Sequence, residues 1–289
     1  MNYEKVNGTS LLIDIPSDAQ QDFGIMLMSD VHFDSAVCDL ALFHEHLKYA
    51  EKYRLPVFIN GDSLDAMQGK YDPRRSPEDL KDIYNVSAYY DALVLDYSSY
   101  LSRYDIPAFI LGDGNHETGV LEHSGTDLLE NVCYRLRVEH KKTAIHMGYW
   151  GYIEYGFFYK KGNARAKRLM YFHHGDGGSA PVTKSTLQIN RQSAWLIHPD
   201  IVHNGHTHDA YCIPQPVEKF NDKTHKPYPD NMWFIRTPGY KMSPTKSHRT
   251  RGYESKHFRA PKSRGCYILN LHYSHTDDTI SMDVLNKIV

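Results

Sequence analysis

The sequence predicts an α/β fold: a largely parallel first sheet with a second sheet packed on it. Three observations predict this. Residues 1–111 alternate short apolar runs with stretches of helical periodicity, the pattern of parallel βαβ units. Beyond about residue 143 the texture changes to strand-like runs with one weak helical stretch. No Pro/Gly/Ser-rich linker divides the halves, so residues 1–289 read as one domain, with a basic loop at about 240–264.

Residues 11–15 (LLIDI) and 25–29 (IMLMS) read as strands. The second is almost continuously apolar, as expected of a strand covered on both faces. Residues 38–53 carry Leu40, Phe43, Leu47 and Ala50 at helical spacing. Pro56 opens VFIN, a short buried strand. The spacing predicts a helix over 77–104, where Pro77 suits a first turn and Ile83, Tyr90, Val94, Tyr97 and Leu101 form one stripe. Pro107 opens the strand AFIL, and residues 122–136 read as helical. Then 143–159, 168–173, 200–204, 210–214, 231–237, 265–273 and 279–285 read as strands, with weak helical periodicity at 184–197. Residues 216–230 and 238–264 read as long loops, and no internal repeat or low-complexity tract is present.

Composition narrows the classes. A hydrophobic fraction of 41% and a charged fraction of 24% are those of an ordinary globular protein. A net charge of −2 argues against a polyanion-binding basic block. The four cysteines (Cys38, Cys133, Cys212, Cys266) are widely spaced without CxxC, which excludes a zinc ribbon or disulfide scaffold and fits the reducing cytoplasm. The start, MNYEKVNGTSLLIDIP, lacks the pattern of a signal peptide. No apolar run approaches the roughly 18 residues of a membrane span. The eighteen histidines need a cause.

Each short apolar strand ends in a polar cluster. The clusters are Ser29-Asp30-Val31-His32, then Asn60-Gly61-Asp62-Ser63-Leu64-Asp65, then Gly112-Asp113-Gly114-Asn115-His116-Glu117. Later come Phe172-His173-His174-Gly175-Asp176 and Asn204-Gly205-His206-Thr207-His208. Ligands of open α/β sheets bind beyond the carboxyl ends of the strands, where these clusters converge. In extended backbone, residues two apart point the same way, so Asp30 and His32 can grip one ion and His206 and His208 face one site. The donors are carboxylate, imidazole and amide, without thiolate, which suits Mn²⁺, Fe or Zn²⁺ over Ca²⁺. So many donors exceed one tetrahedral ion, and two divalent ions sharing a carboxylate would clamp an in-line displacement at phosphorus.

Taken singly, Asp-x-His is usually a cap or surface pair and Gly-Asp a turn. Five such clusters in order, each after an apolar run, point to one site. Alternation places His173 and His174 on opposite sides of a strand without choosing the ligand. His44 and His46 lie two apart on the first helix and read as surface or boundary residues. His203 reads as core or ligand support, and His123, His140 and His146 have no partner pattern. Glu117 and Asp113 read as supporting the ligands, Asp113 chiefly as a turn former.

At these residues the sequence resembles the calcineurin-like metallophosphoesterase superfamily. Its pattern of DxH, GDxxD, GNH(D/E), a lone His and GHxH is matched by Asp30 and His32, Asp62 and Asp65, Asn115 with His116 and Glu117, His174, and His206 with His208. The match spans about residues 25–210. The resemblance implies a two-sheet α/β/β/α sandwich. It implies one metal on Asp30, His32, Asp62 and His208, and another on Asp62, Asn115, His174 and His206, Mn²⁺ first and Fe or Zn²⁺ as alternatives. It favours His174 over His173, because the ligand directly precedes Gly. A metal-bridging hydroxide would attack phosphorus, His116 would protonate the leaving oxygen, and Asp65 would orient His116.

Protein serine/threonine phosphatases of that superfamily carry Arg after the second Asp of GDxxD, whereas Ala66 stands here. From Lys241 to Arg264 the chain holds Lys241, Lys246, Arg249, Arg251, Lys256, Arg259, Lys262 and Arg264 against Glu254 alone. Arg249 and Arg251 are the expected phosphate contacts, and Tyr240, Tyr253 and Phe258 the candidates to stack on bases. The alternative for this segment is a solvated loop. The expectation is a phosphodiesterase, of nuclease type where the substrate is a polymer, acting on nucleic acid or nucleotides, without a membrane partner. The alternatives are a phosphomonoesterase of a small metabolite and a non-catalytic metal-bound binding module.

Overall fold

The fold is mixed α/β, with two mixed sheets and five α-helices among the described residues. The computed structural model describes residues 1–17, 20–67, 80–158, 164–178, 183, 185–221, 225–242, 262–276 and 278–289. In chain order it runs β1 (Asn2–Asn7), β2 (Ser10–Pro16), β3 (Gln20–Met28), α1 (Leu40–Lys52), β4 (Val57–Asn60), α2 (Tyr89–Ser102) and β5 (Phe109–Gly112). Next come α3 (Asn115–Ser124), α4 (Leu128–Val138), β6 (Ala144–His146), β7 (Trp150–Phe158), β8 (Ala164–His173) and α5 (Leu187–Ser193). The last strands are β9 (Ile201–Asn204), β10 (Tyr211–Asn221), β11 (Lys226–Arg236), β12 (Gly265–Ser274) and β13 (Thr279–Ile288).

The six-stranded sheet has the order β13-β12-β3-β4-β5-β6. Its run β3-β4-β5-β6 is parallel and its β12 and β13 are antiparallel. The seven-stranded sheet has the order β1-β2-β7-β8-β9-β11-β10. Apolar alternation explains why both faces of the first sheet are buried. On β3, Ile25 and Leu27 join a cluster shared with β2, β7 and β8 of the other sheet, while Met26 and Met28 join the cluster of α1, α2 and α4. On β4, Phe58 faces the other sheet and Val57 and Ile59 face the helices. Each such fully buried side chain contributes roughly 1.5–3 kcal/mol. A third cluster packs Ile189 and Leu196, on and just after α5, on Tyr171, Val202, Met232 and Phe234 of the seven-stranded sheet. Among the described residues no helix is long and apolar enough to cross a membrane.

Helix α1 forms as its spacing predicts, capped by Asp39, whose carboxylate accepts from Leu42 N at 3.2 Å. His46 is a correction: it is 7% exposed and its Nδ1 lies 2.8 Å from Tyr240 Oη. The expected helix over 77–104 begins only at Tyr89. Before it, Asp82–Tyr84 makes a single 3-10 turn, and Ile83 points to solvent. The stretch is tied down by polar contacts instead, because Lys81 Nζ donates to Phe33 O and Tyr84 Oη to Asp96. The helix expected at 122–136 is two helices. Gly125, at φ +66°, ends α3, and the Asp127 side chain caps α4.

The run expected as one strand at 143–159 is two strands in different sheets, so the chain crosses between sheets at Met147–Tyr149. The largest correction is 216–230. Its described residues extend β10 and β11 into a long antiparallel ribbon. Proline hid it from the sequence. Pro214 and Pro216, and Pro227 and Pro229, lie two apart, so each pair turns its missing donor to one edge, where no ladder bond is needed. Strand β1 was not expected at all.

Candidate metal centre

The polar clusters follow β3, β4, β5, β8 and β9, whose parallel registers bring their carboxyl ends to one edge. The connection after β3 continues to pair with that after β4: Asp30 N donates to Gly61 O at 3.0 Å, and His32 N to Asp62 O at 3.0 Å. The donors are therefore not on extended strands. Asp30 (φ 52°), His32 (49°), Asp62 (49°), His206 (72°) and His208 (54°) all take left-handed backbone. That conformation costs a non-glycine residue about 1–2 kcal/mol, and such residues cluster at functional sites. The two-residue spacing works here through repeated left-handed turns, not strand alternation.

Two of the four donor groups among the described residues take in the expected ligands. Donor atoms of Asp30, His32 and His208 lie within 4.8 Å of one another, and so do those of Asp62, His174 and His206. His206 and His208 thus belong to different groups. Within them, His208 Nε2 is 3.5 Å from Asp30 Oδ1 and His174 Nε2 is 3.1 Å from Asp62 Oδ2. The groups adjoin, because His206 N donates to Asp30 Oδ2 at 2.9 Å. Asn115 Oδ1 is 2.8 Å from His206 Nδ1. Of the adjacent histidines, His174 is fully buried and turned into the centre, whereas His173 lies beside Gly175 N at 2.9 Å.

Supporting contacts orient the rings. His174 Nδ1 donates to Asn60 O at 2.8 Å, which leaves Nε2 toward Asp62. His32 Nδ1 stands 2.8 Å from Asp65 Oδ1 as an ion-pair contact, and neither of its buried ring nitrogens makes a hydrogen bond. His174, with Nδ1 held by Asn60 O and Nε2 buried without a hydrogen-bond partner, shows the pattern of a metal-ligating histidine. The residues present therefore fit a divalent cation, and their oxygen and nitrogen donors suit Mn²⁺, Fe or Zn²⁺.

His116 begins the turn of α3. Its Nε2 is 3.8 Å from Asp62 Oδ2, and its Nδ1 is 2.5 Å from the main-chain carbonyl of Asp65. The Asp65 carboxylate is 3.9 Å from that nitrogen and instead takes His32 and Lys241 Nζ, the latter at 2.5 Å. The expected Asp65–His116 carboxylate pairing is thus a carbonyl contact.

Electrostatics follow burial and neighbours. Burial pushes the Asp62 carboxyl up, but His174 and His116 outweigh it and hold it well below its ordinary range. Burial pulls His174 down, yet Asp62 raises it to about 10. Burial and then Lys241 drive His32 down to about 3. Burial and then the Asp62 charge push Glu117 up to about 8.

Three supports escaped the sequence reading or were underrated by it. Glu117 accepts from Asp62 N, Leu64 N and Gly114 N at 3.1, 2.9 and 2.9 Å, so it shapes the Asp62 turn. Asp34 accepts from Asp65 N and Ala66 N and from Tyr89 Oη. Its position two residues after His32 was the available signal. Lys241 had none, since it is distant in sequence from Asp65. Gly114 is required here: a Cβ there would collide with Asp62 Oδ1. His146, expected without partners, lies 2.9 Å from Asp113 and 3.3 Å from Glu130. His203 is buried with Nε2 3.1 Å from Thr237 Oγ1, a core role. Arg249 and Arg251 lie outside the described residues. At the ends of their segment, Lys241, Lys262 and Arg264 pair with Asp65, Asp209 and Asp39.

No family model matches the chain, and no curated protein matches it. Among solved structures it is similar to GAP50, the anchor in the inner membrane complex of Plasmodium, at 13% identity over 93% of this chain and 89% of that one, with a TM-score of 0.40. It is also similar to the Thermotoga maritima protein TM1076, at 14% identity over 91% of this chain and 99% of that one, with a TM-score of 0.31. At these scores neither likeness carries an argument about fold or site.

Proposed function

We propose that the chain is a dinuclear metal-dependent phosphoesterase with the α/β/β/α sandwich of the metallophosphoesterase type, acting on phosphodiesters of nucleic acid or nucleotides. One observation carries the reading: two adjoining His–carboxylate groups with His116 Nε2 3.8 Å from Asp62. Asp30, His32, Asp62 and His208 would hold one ion, and Asp62, Asn115, His174 and His206 the other. When bound, such ions supply Lewis acidity toward phosphoryl oxygens and lower the pKa of water.

The chain's own residues do the rest. A carbonyl only accepts, so the bond from His116 Nδ1 to Asp65 O keeps a proton on Nδ1 in either charge state. Nε2 is then the atom that gains and loses a proton, and it faces the centre to serve the leaving oxygen. Asp65 holds His32 by Nδ1 and leaves Nε2 for the ion. The diester preference rests on the basic segment, with Arg249 and Arg251 as phosphate contacts.

The test is turnover of bis-p-nitrophenyl phosphate and p-nitrophenyl phosphate by Mn²⁺-loaded protein, with Asp62→Asn and His116→Ala beside it. Faster bis-ester turnover, lost in both variants, is the expected result. Preference for the mono-ester would turn the reading to a phosphomonoesterase. Metal content without any turnover would overturn the enzymatic reading in favour of a binding module.

A further inference from the structure

A cleft of about 170 Å³ lies on the outer face of the seven-stranded sheet, lined by Tyr171, His173, Gly175, Gln188, Gln192 and Trp195 among others. It is joined to the metal centre by the chain itself. His173 lines the cleft while its neighbour His174 faces Asp62. The turn that follows is bonded on both sides: His206 Nε2 is 3.0 Å from Gly177 O, and Gln188 Nε2 donates to Asp176 O at 2.5 Å. The volume is below the roughly 300 Å³ of a drug-sized pocket and suits a single planar ring.

We infer that this cleft binds the base of a nucleotide whose phosphate lies at the metal centre. Its lining has the chemistry of a base site. Trp195 is 59% exposed, an unusual position for the largest apolar side chain, and stands edge-on to Tyr171 at 5.9 Å and 82°. Its ring is held and its face is open, the arrangement that stacks a base. Gln192 Oε1 is buried and has no hydrogen-bond partner. A buried acceptor left unmet costs about 1–3 kcal/mol, so a donor is missing, and an exocyclic amine or ring N–H of a base supplies one. Arg191 and Asp176, both exposed, put one cation and one carboxylate on the same rim. Behind the cleft, Arg236 is fully buried, donates to Gln188 Oε1 at 2.6 Å and Thr207 Oγ1 at 2.8 Å, and fixes Gln188 against the GHTH turn. A polyanion track would need a row of cations here. The lining instead offers one ring slot with hydrogen-bonding edges.

The inference rests on the phosphoesterase reading for the position of the phosphate, and its test separates the two. Nucleoside 5′-monophosphates carrying each of the four DNA bases, ribose 5-phosphate and inorganic phosphate are titrated by calorimetry into Mn²⁺-loaded protein. The expected result is binding of at least one nucleotide about tenfold or more tighter than ribose 5-phosphate, the worth of one base stacked on an aromatic ring. Trp195→Ala should abolish that difference, Trp195→Phe should keep most of it, and Gln192→Leu should reduce it most for bases with an exocyclic amine. Trp195 is exposed, so the fold tolerates these changes, and unaltered thermal melts check this. Equal affinity for ribose 5-phosphate and every nucleotide, or a preference untouched in Trp195→Ala, overturns the base site. Bis-p-nitrophenyl phosphate, which has no base, is assayed on the wild-type protein in parallel. Turnover without a base preference overturns the cleft alone, and a base preference without turnover overturns the phosphoesterase alone.

Discussion

The two halves of the centre use the same side-chain types but are held by different means. In the Asp62–His174–His206 half, orientation comes mainly from neutral groups: Asn60 O holds His174, Gly177 O holds His206 by Nε2 and leaves Nδ1 beside Asn115 Oδ1, and Glu117 ties the Asp62 turn through amides. In the Asp30–His32–His208 half, orientation runs through charge: His32 leans on Asp65, and Asp65 is neutralised by Lys241 from a distant segment. The first half is fixed by the path of strands β4, β8 and β9. The second depends on a side chain delivered by the loop after β11. Side-chain substitution should therefore disable the first half at its ligands and at Glu117, and the second half through its charged support as well.

The largest effect should come from Asp62→Asn. Loss of a supporting contact alone typically costs 10–100-fold in metal affinity, so loss of this carboxylate should exceed about 100-fold and take turnover with it. His116→Ala should keep both metals and lose about 10²–10⁴-fold in kcat. Metal analysis of the two proteins, with kcat alongside, breaks the division of roles if His116→Ala also sheds metal. The adjacent histidines give the next contrast. His174→Ala should lose one equivalent of metal by elemental analysis, and His173→Ala should retain the full complement. The opposite pattern would exchange their places.

How much of this was legible depended on range in sequence. The parallel core was legible because β3, β4 and β5 are buried on both faces and read as continuous apolar runs. The ligand clusters were legible because each is contiguous and follows its strand. The stated reason for Asp30 with His32 was wrong, since left-handed backbone and not strand pleat brings them together. The ribbon of residues 211–221 and 226–236 was hidden because proline is read as a breaker, although alternate residues on an outer edge need no donor. The helix start at Tyr89 and the Lys241–Asp65 pair are set by tertiary contacts with no local signature.

Lys241→Met tests the charged support directly. Asp65 would keep His32 but lose its counter-charge, and metal affinity should fall about 10–100-fold, with Lys241→Arg restoring part of it. A value unchanged within twofold would mean that His32 is held without its charged support.

The smallest effect lies one step farther back, at His46. Its Nδ1 is hydrogen-bonded with the Tyr240 hydroxyl at 2.8 Å, and Tyr240 N donates to Asp30 O at 2.9 Å just before Lys241. Burial, and then the Lys287 charge, hold the His46 imidazole down at about 4 from its ordinary 6.5. The folded state therefore resists the proton that the unfolded chain accepts below about 6.5. Stability from this residue is intact above that pH and drains away as pH falls toward 4. The loss is bounded at roughly 3 kcal/mol by the size of the shift. His46→Leu should cost about 1 kcal/mol at pH 7 through the lost hydrogen bond. It should also show a shallower fall between pH 7 and 4.5 in denaturant unfolding with chelator present. Parallel slopes for the two proteins would place the acid sensitivity elsewhere, and the charged half would then have no titrating residue beneath it.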